Sequence, residues 1–265
     1  MNDRSQIDAW WEDPKTVSLL DKNLRALETS FVCSNLNHSY EFADFGCGDA
    51  ESTIQYAPLV KSCLALERSN TLRERAKARI EEGGLSNVRL VAGDVRELTA
   101  FKGAFDCVCT QRVVINFLSW PEQQEVLTNI WTSLRPGGRY LMVENTVEGF
   151  DALNAARRSV GLADLKIHHW HNLYLHHDKL IEWFDGKYVL ERRQHFNLYY
   201  LLTRVFTNMF AQFEGFGANA KKDPIFGPAD SAARRLFEIF GEHVKIEVPT
   251  GNAFGPIQGF VLRRL

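Results

Sequence analysis

Between Tyr40 and Val143 short apolar runs alternate with amphipathic helical stretches, and this rhythm constrains the fold more than any other feature of the chain. The runs are Tyr40 to Phe45, Ser62 to Leu66, Val88 to Val91, Phe105 to Thr110 and Arg139 to Val143. Each is too short for a helix and is bounded by turn residues, so each reads as a strand. The intervening stretches carry the helical period. Ala50 to Ala57 can be helical; Leu72, Ala76 and Ile80 share a face before Gly83 and Gly84 stop the helix; Val126, Leu127, Ile130, Trp131 and Leu134 form a stripe behind Ser119-Trp120-Pro121-Glu122. That last segment is a capping box with proline in the first turn. Strands alternating with helices in this way predict an α/β, Rossmann-like, mostly parallel sheet with helices on both faces.

The flanks are read less directly. Asp13 and Pro14 offer a helix start, with Val17, Leu20, Leu24 and Leu27 at spacings of three and four behind it. After Glu144 the rhythm breaks into an insertion rich in His, Trp, Tyr and Asn. A helix at His177 to Phe184, a strand at Lys187 to Phe196, a helix near Ala232 to Phe240 and a closing strand at Ile257 to Leu262 follow. Pro224, Gly227 and Pro228 are read as breakers. The chain divides into a helical lid segment over 1–38, a cofactor-binding core over 39–145, and acceptor-binding insertions with closing strands of the same domain over 146–265.

Several classes of partner are disfavoured. A net charge of −2 gives no basic field for nucleic acid. No run approaches 18 apolar residues, and the start is polar and acidic, so neither a membrane span nor a signal peptide is expected and a cytoplasmic location is. The cysteines Cys33, Cys47, Cys63, Cys107 and Cys109 lack paired zinc spacing, and Cys107 and Cys109 point to one side of their strand as small apolar groups. The pattern specifies no oligomeric state.

The chemistry concentrates at the ends of the first three strands. Asp44-Phe45-Gly46-Cys47-Gly48 puts glycines where a ligand approaches the backbone of a parallel sheet. A dinucleotide fingerprint needs a small residue three positions after the second glycine; Glu51 stands there and would repel a pyrophosphate. Asp44 suits a cationic amino-acid group better than phosphate. Glu67, nineteen residues beyond Gly48, is placed to accept from both hydroxyls of a ribose, with Arg68 beside it. Asp94 ends the third strand, where it is placed to bind an exocyclic adenine amine while Val95 packs on the ring.

The successive segments DFGCGDAES, ALERS, AGDVREL, FDCVCTQRVVINF and LRPGGRYLMVEN resemble, in order, the motifs of class I S-adenosylmethionine-dependent methyltransferases. The resemblance implies a seven-stranded sheet with an antiparallel seventh strand, and S-adenosyl-L-methionine as cofactor. It assigns Asp44, Gly46, Cys47 and Gly48 to the methionine part, Glu67 and Arg68 to the ribose side, Asp94 and Val95 to adenine, and Gln111 to the methionine side; Trp11 of the lid joins this cofactor set. Bacterial members found with surface-polysaccharide genes are similar in the second half, which implies a sugar-like or natural-product acceptor. The Asn-Pro-Pro-Tyr type motif of base methylation is absent after the fourth strand. Arg112, Asn145, Trp170, Tyr199, Tyr200 and Arg204 are the acceptor-binding candidates. The aromatic stripe Phe196, Tyr199, Tyr200, Phe206, Phe210 and Phe213 otherwise reads as core.

Five histidines lie between His168 and His177. They admit three readings: a metal site, a cluster without chemistry, or a general base. No His-x-x-x-His repeat or acid triad accompanies them, so no metal is assigned. Of the five, His171 is preferred as base, with Glu144 to hold it or the acceptor. Methyl transfer to oxygen or nitrogen of a small molecule is the leading expectation. An intramolecular cyclisation with the same cofactor, or a non-catalytic cofactor-binding module, are the alternatives.

Overall fold

The structure is a computed structural model describing residues 3–16, 20–213, 226–241, 243, 244, 246 and 254–265. Its centre is a seven-stranded sheet ordered β3-β2-β1-β4-β5-β7-β6. The strands are β1 (Glu41–Phe45), β2 (Ser62–Glu67), β3 (Val88–Ala92), β4 (Phe105–Gln111), β5 (Leu134–Asn145), β6 (Tyr188–His195) and β7 (Ile257–Arg264). Strands β1 to β5 pair in parallel, and β7 inserts antiparallel between β5 and β6. This is the expected sheet, including its antiparallel last strand.

Strand alternation feeds two cores. Ala43, Phe45, Leu64, Leu66, Val108, Tyr140, Met142, Phe260 and Leu262 face one way, onto α5 (Trp120–Ser133) and α7 (His177–Phe184). Phe42, Cys63, Cys107, Cys109, Leu141, Val143 and Val261 face the other way. They meet α2 (Lys22–Cys33), α3 (Thr53–Tyr56), α6 (Val147–Ser159), α8 (Asn197–Tyr200) and α10 (Phe226–Phe240). Cys107 and Cys109 are fully buried there as small apolar groups. Helix α4 (Asn70–Glu82) starts at Ser69, whose hydroxyl accepts from the Leu72 amide, and ends at Gly83. Helix α5 starts at Ser119, whose hydroxyl accepts from the Glu122 amide at 3.3 Å, as the capping box requires.

The flanks depart from the sequence reading in four places. Asp13 and Pro14 do not open a helix. They lie between α1 (Asp3–Glu12) and α2, and Asp21 caps α2 instead, its carboxylate accepting from the Leu24 amide at 2.9 Å. The expected face therefore splits: Leu24 and Leu27 are core, Leu20 is exposed, and Val17 lies outside the described residues. The stretch after Glu144, read as an irregular insertion, begins with α6, whose buried side mixes Phe150 and Leu153 with Gly149, Asn154 and Arg157 and so carries little apolar period. Gly227 and Pro228 do not interrupt a helix but sit in the first turn of α10, where proline's missing N–H costs nothing; Pro224 lies outside the described residues. The aromatic stripe also divides. Phe196, Tyr199 and Tyr200 are core, whereas Phe206, Phe210 and Phe213 on a π-helical turn (Leu201–Phe206) and α9 (Thr207–Phe213) are exposed, Phe213 by 80%.

Candidate functional site

The strand order reverses between β1 and β4, so the crevice where a parallel sheet takes a ligand opens at the carboxyl ends of these two strands. The glycine loop leaves β1 at that point. Gly46 and Gly48 adopt φ of +74° and +60°, left-handed values that side chains resist. A Cβ on Gly46 would lie 2.6 Å from Val113 Cγ2, so the loop after β4 packs directly on the glycine loop. A Cβ on Gly48 would meet nothing within 4 Å, which leaves that side of the loop open for a ligand.

The three acids take different environments. Asp44 is buried, accepts the Thr53 hydroxyl at 2.6 Å, and is pushed up to about 6 by burial, with Glu67 adding to the shift. A cationic group would relieve that cost, which fits an amino-acid ammonium. Glu67 is raised by burial, while its oxygens accept the Gly48 amide at 3.0 Å and the Ser69 amide at 2.8 Å. The same carboxylate thus ties the glycine loop to the end of β2 and keeps lone pairs for a diol. Burial opposes ionisation of Asp94, but Arg96 wins and holds it below the ordinary range, donating from Nε at 3.0 Å and Nη2 at 2.7 Å. Val95 is buried in the core cluster that also holds Leu98 and Phe105.

Helix α1 packs against the end of β2 and the start of α4. Arg68 pairs with Asp8, the Ser69 hydroxyl donates to the Trp11 carbonyl at 2.9 Å, and the Glu12 carboxylate accepts the Asn70 and Thr71 amides at the start of α4. The Trp11 backbone and the Arg68 side chain, two of the cofactor candidates, are thereby tied to the chain that follows Glu67. From α1, Trp10 reaches Trp170 edge-on at 5.3 Å between ring centroids, and Trp170 lies 4.0 Å from the His171 ring. Helix α1 and the histidine-bearing segment therefore meet.

His171 is half-buried; burial and His168 hold it below its ordinary pKa, so it is neutral at pH 7. Its Nδ1 is buried without a partner and its Nε2 lies 3.0 Å from Asn172 Nδ2. Glu144 does not accompany it. That carboxylate is fully buried, accepts the Val113 and Val114 amides at 2.9 Å each and the Ile115 amide at 3.4 Å, and is pushed up to about 7 by burial. Glu144 holds the turn after β4 and is not a catalytic contact, because its oxygens are spent on backbone amides.

The acceptor candidates also sort. Asn145 is buried with Oδ1 unpartnered, and its side chain hydrogen-bonds Tyr174. Tyr199, fully buried, donates to Asp21 at 2.8 Å, and Arg204 pairs with the same carboxylate. These two are corrected from acceptor contacts to struts, since their polar ends are satisfied within the fold. Tyr200 is core, its ring against Gly255. Arg112 gives both Glu28 oxygens a hydrogen bond, at 2.6 and 2.7 Å. Gln111 donates to Glu28 at 3.4 Å and accepts from the Tyr56 hydroxyl at 2.6 Å. Sequence reading missed Asp21, Glu28 and Tyr56; Asp21 and Glu28, seven apart, were legible as one face of α2, but nothing local shows that the face is buried. Among the described residues no group of His, Cys, Asp and Glu is arranged to hold a metal, and no helix is long and apolar enough to cross a membrane.

Residues 42–138 match the family described as "Methyltransferase domain". The demethylmenaquinone methyltransferase of Lactococcus lactis is 28% identical over 39% of this chain and 41% of that relative. The chain spans about half or less of the length of the curated relatives it matches. The crystal structure of YcgJ from Bacillus subtilis superposes with a TM-score of 0.54 at 13% identity, covering 90% of this chain and 97% of that one. The N-methyltransferase NodS from Bradyrhizobium japonicum, solved with S-adenosyl-L-homocysteine, gives 0.51 at 17% identity over 73% and 89%. These likenesses show the fold.

Proposed function

We propose that this protein, whose residues 42–138 match the methyltransferase-domain family, moves a methyl group from S-adenosyl-L-methionine to an oxygen or nitrogen of a small acceptor, sugar-like or a natural-product scaffold. One observation carries the reading: a glycine loop at the sheet's switch point, open at Gly48, with the buried acids Asp44 and Glu67 at the carboxyl ends of the two strands beside it. When bound, the cofactor supplies an electrophilic methyl carbon on a sulfonium. The protein's task is then alignment and exclusion of water. Asp44 holds the ammonium end, Glu67 the ribose, and Asp94 shares its carboxylate between Arg96 and the adenine amine. Trp10, Trp11 and Trp170 close over the crevice and keep it dry. His171, held below its ordinary pKa by burial, accepts the acceptor's proton at Nε2, the nitrogen whose lone pair faces the Asn172 amide, as the acceptor's oxygen or nitrogen attacks. The five cysteines are unpaired thiols, which supports a reducing, cytoplasmic setting.

Titration calorimetry with S-adenosylmethionine, S-adenosylhomocysteine and NAD tests the reading. Binding of both sulfur nucleosides without added metal is expected. Tight NAD binding with no response to either nucleoside would overturn it.

A further inference from the structure

Asp21 at the cap of α2 and Arg25, Glu28 and Thr29 along it share one face, and together they reach three parts of the site. Arg25 pairs with Glu51 and the Thr29 hydroxyl lies 3.0 Å from that of Ser52, both just past the glycine loop. Asp21 holds Tyr199 and Arg204 of the second half. Glu28, without exposure, binds Arg112 and Gln111 at the carboxyl end of β4.

That β4 end is the unusual element. Arg112 has φ of +56°, a left-handed value in a residue that is not glycine, and such a conformation persists only where its surroundings over-determine it. Three bonds do so: the Arg112 amide donates to the Val143 carbonyl at 2.8 Å, the Arg112 carbonyl accepts from Asn116 at 2.7 Å, and the guanidinium is held by Glu28. The next residue, Val113, touches Gly46, so any relaxation of this turn moves the wall of the glycine loop. A buried ion pair is weak as a source of stability, because an apolar pair of similar volume commonly serves as well. Its value here is that it fixes geometry.

We propose that Glu28 is a positioning residue for methyl transfer, locking Gln111 and Arg112 into the left-handed turn that walls the reacting end of the crevice. The proposal rests on the methyl-transfer reading above for what the turn faces, and on geometry alone for what Glu28 holds. Two full-length variants test it: Glu28→Leu with Arg112→Leu, which removes both buried charges, and Glu28→Gln, which keeps the shape. At least one is expected to melt within a few degrees of the wild type. In it, amide exchange should quicken at least about tenfold at residues 111–116 and stay unchanged in β1, β2 and α5. Affinity for S-adenosylhomocysteine should fall by about tenfold. Unchanged exchange at 111–116 in a folded variant would overturn the proposal, and so would loss of fold in both, which would make the pair a structural requirement only. If the wild type binds neither S-adenosylmethionine nor its product, the methyl-transfer reading fails, while the exchange comparison still decides whether Glu28 holds the turn.

Discussion

The two halves of the molecule obey different rules. In residues 40–145 the polar residues assigned to the cofactor sit at or just past the carboxyl ends of strands. Glu67 and Gln111 end β2 and β4, Asp44 is the last residue but one of β1, and Asp94 follows β3 by two residues. In residues 146–265 the polar groups with the most suggestive side chains, Tyr199 and Arg204, turn inward to Asp21, while Phe206, Phe210 and Phe213 turn out. A parallel βαβ unit aims its strand ends by construction, so position along the chain implies position in space. The later helices have no such frame, and their orientation is set by what they pack on.

The sharpest way to break this comparison is His171, the one residue of the second half assigned to the chemistry. Replacing it with Ala should lower turnover by at least about a hundredfold, the lower range for loss of a general base, and leave cofactor affinity nearly unchanged. Single-turnover kinetics and calorimetry on the same variant check both parts. Retained turnover would return all the chemistry to alignment by the first half.

A smaller effect sharpens the first half through pH. Asp44 must be ionised to meet an ammonium, and burial pushes it up to about 6. Cofactor affinity should be full above about pH 7 and fall roughly tenfold per unit below about 6. Stability has the opposite sign: a carboxyl raised on folding favours the native state below its unfolded value and loses that advantage as pH rises through about 6, at most about 3 kcal/mol. Glu144, raised to about 7, acts in the same sense; His195, lowered to about 4 by burial and by Arg193, acts against it as pH falls below about 6.5. Asp44→Asn should flatten the affinity profile. A profile of unchanged slope in that variant would remove Asp44 from the ammonium contact.

The smallest effect concerns the outward face. Phe213→Ser should change stability by no more than about 0.5 kcal/mol, as an exposed substitution does, whereas a core aromatic costs several times that. Chemical denaturation measures it, and a larger loss would show that the exposed aromatics of α9 are covered in solution.

The sequence by itself determined the sheet and most of the crevice at its switch point. Strand and helix periods are local, the capping box at Ser119 and the stop at Gly83 are local, and the spacing from Gly48 to Glu67 follows from one crossover helix. Only the tertiary structure decided that Glu144 is spent on three amides of the β4 turn, that Val95 faces the core, and that α1 brings Trp10 to Trp170. Glu28 shows the reason most clearly. Its partners Gln111 and Arg112 lie more than eighty residues away in the chain, and pairing across such a distance leaves no period or spacing in the sequence. It exists because α2 packs on the same face of the sheet from which β4 delivers its last residues.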